Sequence, residues 1–129
     1  ERLCAIAPSE GFVMAEIIAA PVRIPVPGGK TIDEYVGHVA SGDAAVSVAH
    51  MVAPPGWDEP AQAPEFDEFT VVLKGSIEVD TPDGLRTVTA GQAIITRAGE
   101  RIRYATSEGA EYIAVCLPAF SPELANRED

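Results

Sequence analysis

A chain of 129 residues can build one hydrophobic core without disulfide or zinc staples, and 47% hydrophobic against 22% charged residues is too apolar for a disordered polymer. A formal charge of −11 with no basic cluster argues against nucleic acid and against an anionic membrane surface as partners. No apolar stretch reaches the length of a bilayer span and no secretory core segment stands out; the cytoplasm is therefore the expected compartment, with a removed leader left open by the start at Glu1.

Along the chain, short runs of Val, Ile, Thr and aromatic residues recur between Gly, Pro and Asp clusters, while sustained helical periodicity is missing. This pattern predicts strands at Ile17–Ala20, Tyr35–Val39, Ala45–Val52, Phe69–Leu73, Ser76–Val79, Arg86–Thr89, Ala93–Thr96, Arg101–Ala105 and Glu111–Leu117. Pro21 to Lys30, with three prolines and Gly28-Gly29, reads as an extended arm. Asp80-Thr81-Pro82-Asp83-Gly84 reads as a hairpin tip, because Asp-Gly supplies the positive φ such turns need. Ser121-Pro122-Glu123 carries a capping hydroxyl, a proline at the first helical position and an acidic first turn, and predicts a short terminal helix. Cys4 and Cys116 have no His or Cys neighbour at metal-ligand spacing and are read as free thiols, Cys116 as a buried small hydrophobe. No repeat divides the chain, and one domain over 1–129 is expected.

Pro54-Pro55-Gly56, the run Asp67 to Gly75, Ala90-Gly91-Gln92-Ala93 and Arg97-Ala98-Gly99 together resemble the two motifs of the cupin superfamily. Glu68, followed by six residues and Gly75, matches the second half of the first motif, and Gly91 and Gly99 match glycines of the second. The two histidine positions of the first motif fall on Gln62 and Pro64. The proline, histidine and asparagine positions of the second hold Arg97, Ile102 and Thr106. The phrase from Gly56 to Gly75 is also similar to cupins of the ethanolamine-utilisation type, which likewise lack the histidine pair. The resemblance implies an all-β, double-stranded β-helix of the jelly-roll type, with an N-terminal arm and edge strand in 1–34, a barrel in 35–117 and a tail in 118–129. It also implies that the usual cupin metal centre does not form, since one surviving ligand of four does not hold a transition metal. Neither metal nor cofactor is expected.

Strand alternation places His50 on one face with Val46, Val48 and Val52, read as the interior, and Tyr104 on one face with Ile102, beside a lost ligand position. The functional expectation joins Glu68 and His50 as an acid–base pair, with Gln62 and Tyr104 donating to a developing oxyanion, Trp57 and Tyr35 walling the mouth, and Glu65 available if its loop folds inward. Such a pair suits isomerisation, elimination or cyclisation of a small carbonyl-bearing molecule, which makes an isomerase- or lyase-type enzyme the leading reading. Three alternatives stay open: a noncatalytic metabolite-binding or sensory cupin, a structural subunit, and an unconventional metal site built from His50, Gln62, Glu65 and Glu68. Glu68 paired with Arg97 or Arg101 is the structural alternative for the carboxylate, while Glu59 and Asp67 read as solvated and His38 as structural. A homodimer is expected, with the proline-rich arm laid across its neighbour.

Overall fold

The computed structural model describes residues 14–128, so Cys4 lies outside the described residues. Among these residues the chain forms eight strands and one helical turn: β1 Val22–Ile24, β2 Thr31–Val36, β3 Ser47–Ala53, β4 Asp67–Thr81, β5 Gly84–Thr89, β6 Ala93–Thr96, β7 Arg103–Ala105, β8 Ala110–Leu117 and α1 Pro122–Ala125. All pairings are antiparallel. The larger sheet runs β1-β2-β3-β8-β4-β6, and a smaller one places β5 and β7 on either side of the second half of β4. β4 thus belongs to both sheets and is the hinge on which one folds over the other to make a jelly-roll barrel.

The bend in β4 explains why two expected strands, Phe69–Leu73 and Ser76–Val79, are one. The register against β8 shifts between Val72 and Lys74, and Gly75 follows with φ of 74°. A Cβ at Gly75 would lie 2.0 Å from the carbonyl oxygen of Gly109, so only glycine lets the two backbones approach. The bulge resets the alternation, so that Glu68, Thr70 and Val72 point inward before it and Ile77 and Val79 after it.

The N-terminal region differs from its expectation. Ile17–Ala20 is not a strand, and the arm instead contributes β1 between Pro21 and Pro25. Both prolines fall outside the three hydrogen-bonding residues, and β1 pairs only with β2, the edge position that proline tolerates. A two-pronged ion pair from Arg23 to Asp33, at 2.7 and 3.0 Å, ties the two strands together. β2 starts at Thr31 rather than Tyr35 and stops at Val36, because the buried Glu34 carboxylate accepts the Val39 and Ala40 N–H groups at 3.0 and 2.9 Å and turns the chain. The expected hairpin tip is present, with Thr81 opposite Gly84 and the Thr81 hydroxyl donating to the Gly84 carbonyl. The terminal helix is also present as a single turn: Ser121 caps it by accepting the Leu124 N–H, and Asn126 closes it in the left-handed region.

Two apolar clusters fill the barrel. Trp57, Val72, Ile77, Val79, Val88, Ile102, Tyr104 and Tyr112 pack at one end, with Ala53 and Ala110 closing the gaps. Phe66, Cys116 and Ala125 pack at the other with Phe120 and Leu124, where the Phe66 and Phe120 rings meet edge to face at 5.9 Å. The space between the clusters is the lumen.

Candidate functional site

The larger sheet presents a polar row to the lumen. Register aligns Ser47 of β3, Cys116 of β8, Glu68 of β4 and Thr96 of β6 side by side, and all four side chains are buried. From the opposite sheet, Tyr104 of β7 closes over this row. Its hydroxyl donates to Glu68 Oε1 at 3.1 Å and lies 3.2 Å from Thr96 Oγ1. A cavity of about 320 Å³ opens in front of these groups, with Met51, Trp57, Phe66, Tyr112, Ala114 and Phe120 among its apolar walls. That volume is at the lower end of the range for small-molecule sites, roughly 300–1,000 Å³.

Burial dominates the electrostatics of Glu68. Removing the carboxylate from water pushes its pKa up to about 7, against the opposing pull of Lys30, the Tyr104 hydrogen bond and Arg127. The same burial raises Tyr104 well above the ordinary phenol range, and the Glu68 charge adds to that. Tyr104 therefore stays a neutral hydrogen-bond donor, while Glu68 exchanges its proton near neutrality. Cys116 is a buried free thiol, its pKa raised by burial and by Glu68, and is not a reactive thiolate.

Four of the seven residues singled out in the sequence meet here: Glu68, Tyr104, Gln62 and Trp57 all line the cavity. Gln62 is anchored by backbone exchange with Ile102 at 2.8 Å in both directions, and its side-chain oxygen accepts two bonds from Arg127, at 3.2 and 3.1 Å. The other three lie elsewhere. His50 does not face the lumen: Ser47, Ala49, Met51 and Ala53 form the inner face of β3, and His50 sits outside, its Nε2 2.7 Å from Glu111 Oε2. Both faces of this strand are apolar enough to pass for core, because the outer one carries Val48 and Val52. Tyr35 is exposed at the β2 irregularity and takes no part in the cavity wall. Glu65 is exposed and accepts from the Asn126 amide at 3.1 Å. The Glu68 partnerships with Arg97 or Arg101 are also replaced, since Arg97 pairs with Asp67 and Arg101 with Glu128.

Three ionic groups that the sequence reading did not assign complete the site. Lys30 enters from the end of the arm, with Nζ 4.3 Å from the Trp57 ring centre and 5.4 Å from that of Tyr112. Arg127 reaches back from the tail, 3.5 Å from Glu59 Oε1, and the Glu59 side chain is only 12% exposed rather than solvated. Desolvation lowers the Lys30 pKa, while Glu59 and Glu68 draw it back up.

His50, Gln62, Glu65 and Glu68 do not converge and cannot share a metal ion. Among the described residues no group of three His, Cys, Asp or Glu side chains is placed to hold one. With Gln62 and Ile102 standing where the cupin motifs have histidine, the residues present do not fit the usual cupin metal centre.

No family model matches the chain. Among solved structures it superposes on an RmlC-like cupin from Shewanella frigidimarina over 86% of this chain and 93% of that one, with a TM-score of 0.66 and 16% identity. The fold is the cupin jelly roll. A Bacillus subtilis oxalate decarboxylase matches over 85% of this chain and 31% of its own, with a TM-score of 0.71 and 18% identity. The EutQ protein of Clostridium difficile matches over 71% and 70%, with a TM-score of 0.57 and 17% identity. A curated relative, the endoribonuclease YbeY of Myxococcus xanthus, is 44% identical over 107 residues, 81% of this chain. The chain spans 36% of the length of that relative. Among the described residues no helix is long and apolar enough to cross a membrane.

Proposed function

We propose that this cupin binds a small organic molecule in the barrel lumen and moves a proton on it, with Glu68 as the acid–base group and no metal taking part. One observation carries the reading: a carboxyl group enclosed in an apolar cavity, hydrogen-bonded by Tyr104 and titrating at about 7. A buried carboxylate is costly unless compensated, and a pKa near the working pH is the optimum for proton transfer. His50 no longer serves as its partner. Instead the neutral Tyr104 hydroxyl supports the charged form and can hydrogen-bond a developing enolate oxygen. Isomerisation, elimination and cyclisation of a carbonyl-bearing molecule all require such a step.

The test is carbon-bound proton exchange. Candidate carbonyl compounds incubated in D₂O with the protein should acquire deuterium next to the carbonyl, and Glu68→Gln should abolish this while leaving ligand binding intact. Elemental analysis of protein purified without tag or chelator should give less than about a tenth of an equivalent of transition metal, in line with the missing ligand set. Binding without exchange for any candidate would favour a noncatalytic metabolite-binding or sensory cupin. Stoichiometric metal that survives dialysis would contradict the metal-free reading.

The name of the Myxococcus relative denotes RNA cleavage, and the part of it aligned here is its smaller share. We place RNA cleavage outside this domain, because a charge of −11 offers no track for phosphates and a 320 Å³ lumen does not admit a polynucleotide. The isolated chain should leave RNA intact under conditions in which the whole relative cleaves it.

A homodimer through the outer face of the larger sheet accompanies this reading. Val36, Val48, Val115, Phe69 and Ile95 form one cross-strand row there, beside Val52, Val71, Leu73 and Leu117, which are 40–45% exposed. Monomers rarely leave an apolar row of this length to water, and a second copy of the same face would cover it, with the His50–Glu111–Lys74 cluster at its side. Sedimentation should give a dimer at micromolar concentration; a monomer would overturn this assembly.

A further inference from the structure

Lys30 is the feature that the acid–base reading leaves over. It lines the cavity, lies against two aromatic faces and has no ion-pair partner among the described residues. Glu59 and Glu68 attract its charge, but neither forms an ion pair with it. Arg127 is matched by Glu59 at 3.5 Å, and at the rim Arg103 is bound to Asp58. Among the described residues, Lys30 and Glu68 are then the two lumen groups left without a fixed counter-ion, and burial pushes the Glu68 pKa up to about 7. With Glu68 neutral, the lumen carries one uncompensated positive charge.

We propose that the ligand of this lumen is a small organic anion, its carboxylate held by the Lys30 ammonium above Trp57 and Tyr112, and that it enters together with a proton on Glu68. The inference rests on the lumen being the ligand site, and adds the ligand's chemical class and its coupling to protonation. The turn that delivers Lys30 passes close to the indole: Gly28 has φ of 85°, and a Cβ there would touch the Trp57 ring at 3.5 Å. An ammonium stacked on indole keeps part of its solvation through the ring face and leaves its N–H groups to a carboxylate on the cavity side. A cationic ligand would be repelled by Lys30 and Arg127, and an uncharged one would leave the half-buried Lys30 without an ion-pair partner.

Proton coupling follows from the charges around Glu68. The titratable and charged groups facing it are Lys30 before β2, Glu59 in the loop after β3, Tyr104 on β7, Tyr112 and Cys116 on β8 and Arg127 in the tail. Burial pushes the Glu68 pKa up to about 7. A carboxylate arriving beside it adds a like charge, which favours the protonated form. If that form binds more tightly, affinity falls by up to about tenfold between pH 6 and pH 8 for a group titrating near 7, and the carbon-bound proton is taken in the fraction of complexes in which Glu68 has given up its own.

Trp57 is the single tryptophan, so its emission reports directly on Lys30. Pyruvate and succinate, titrated against the full chain, should perturb that emission saturably, with binding weaker at pH 8 than at pH 6 by up to about tenfold. Their uncharged amides should not bind. Lys30→Met should lose binding by at least tenfold and Lys30→Arg should restore part of it, with unchanged melting temperatures confirming intact folds. Glu68→Gln should bind the acids with no pH dependence. Amide binding equal to acid binding, full retention in Lys30→Met, or tighter binding at pH 8 would each overturn the proposal. These results are separable from the acid–base reading: a neutral ligand with Glu68-dependent deuterium exchange removes the anion and keeps the chemistry, whereas Lys30-dependent acid binding without exchange does the reverse.

Discussion

The two faces of the larger sheet each carry a hydrogen-bonded carboxyl group and treat it in opposite ways. Outside, Glu111 meets His50 at 2.7 Å, and the His50 hydrogen bond together with nearby Lys74 holds the carboxyl below its usual range. Inside, one β-strand away, Glu68 meets Tyr104 at 3.1 Å and is driven up to about 7. The difference is water. Partly exposed Glu111 keeps its hydration and gains a base, so the charged form wins; enclosed Glu68 loses hydration, and one phenol does not replace it. A carboxylate beside a histidine is therefore the more conspicuous pair and the less consequential one.

Several substitutions sharpen this contrast. The largest effect belongs to Glu68→Gln, which removes the proton carrier and should lower exchange or turnover by about 10²–10⁴-fold. The same variant should reveal the cost of burial. Because the folded-state pKa of Glu68 is raised, folding is favoured most below the unfolded-state value near 4.5, and this stability is lost as pH rises to about 7. For a single carboxyl group, a rise from 4.5 to about 7 corresponds to about 3 kcal/mol. Chemical denaturation should accordingly find Glu68→Gln more stable than the native chain at pH 8 by up to that amount, with no advantage at pH 4.5. A native chain that is no less stable at pH 8 would break the comparison.

Tyr104→Phe is a smaller intervention on the same face. Its hydroxyl favours ionised Glu68, so its loss should move the inflection of a pH–rate profile upward from about 7, with the lumen otherwise intact. His50→Ala is the smallest. A partly exposed ion pair contributes about 0–1 kcal/mol, and exchange activity should not change. Activity that depended on His50 would return the acid–base pair to the outer face and contradict the contrast.

The barrel was legible in the chain because its devices are local. Alternating apolar residues, Gly75 and Gly91, the Asp-Gly hairpin and the Ser121 cap each act within a few residues, and Glu68 is fixed by its spacing to Gly75. Which face of β3 looks inward is not local: Val48 and Val52 outside are larger than Ser47, Ala49 and Ala53 inside, because the lumen keeps space that small side chains leave. The apolar periodicity therefore points to the wrong side and carries His50 with it. Lys30, Glu59 and Arg127 were missed for a related reason. They sit in an arm, a loop and a tail whose convergence over the lumen depends on the folded barrel, and only Trp57 after Pro54-Pro55-Gly56 gave a sign that something docks there.

The most direct test of the central claim is a ¹³C NMR titration of the glutamate side-chain carboxyl resonances, with Glu68 assigned by its absence in Glu68→Gln. A midpoint near pH 7 for that resonance, alongside Glu111 titrating below the usual glutamate value, is the predicted result. A Glu68 midpoint at or below about 4.5 would mean that the lumen solvates the carboxylate as water does, and would contradict the account.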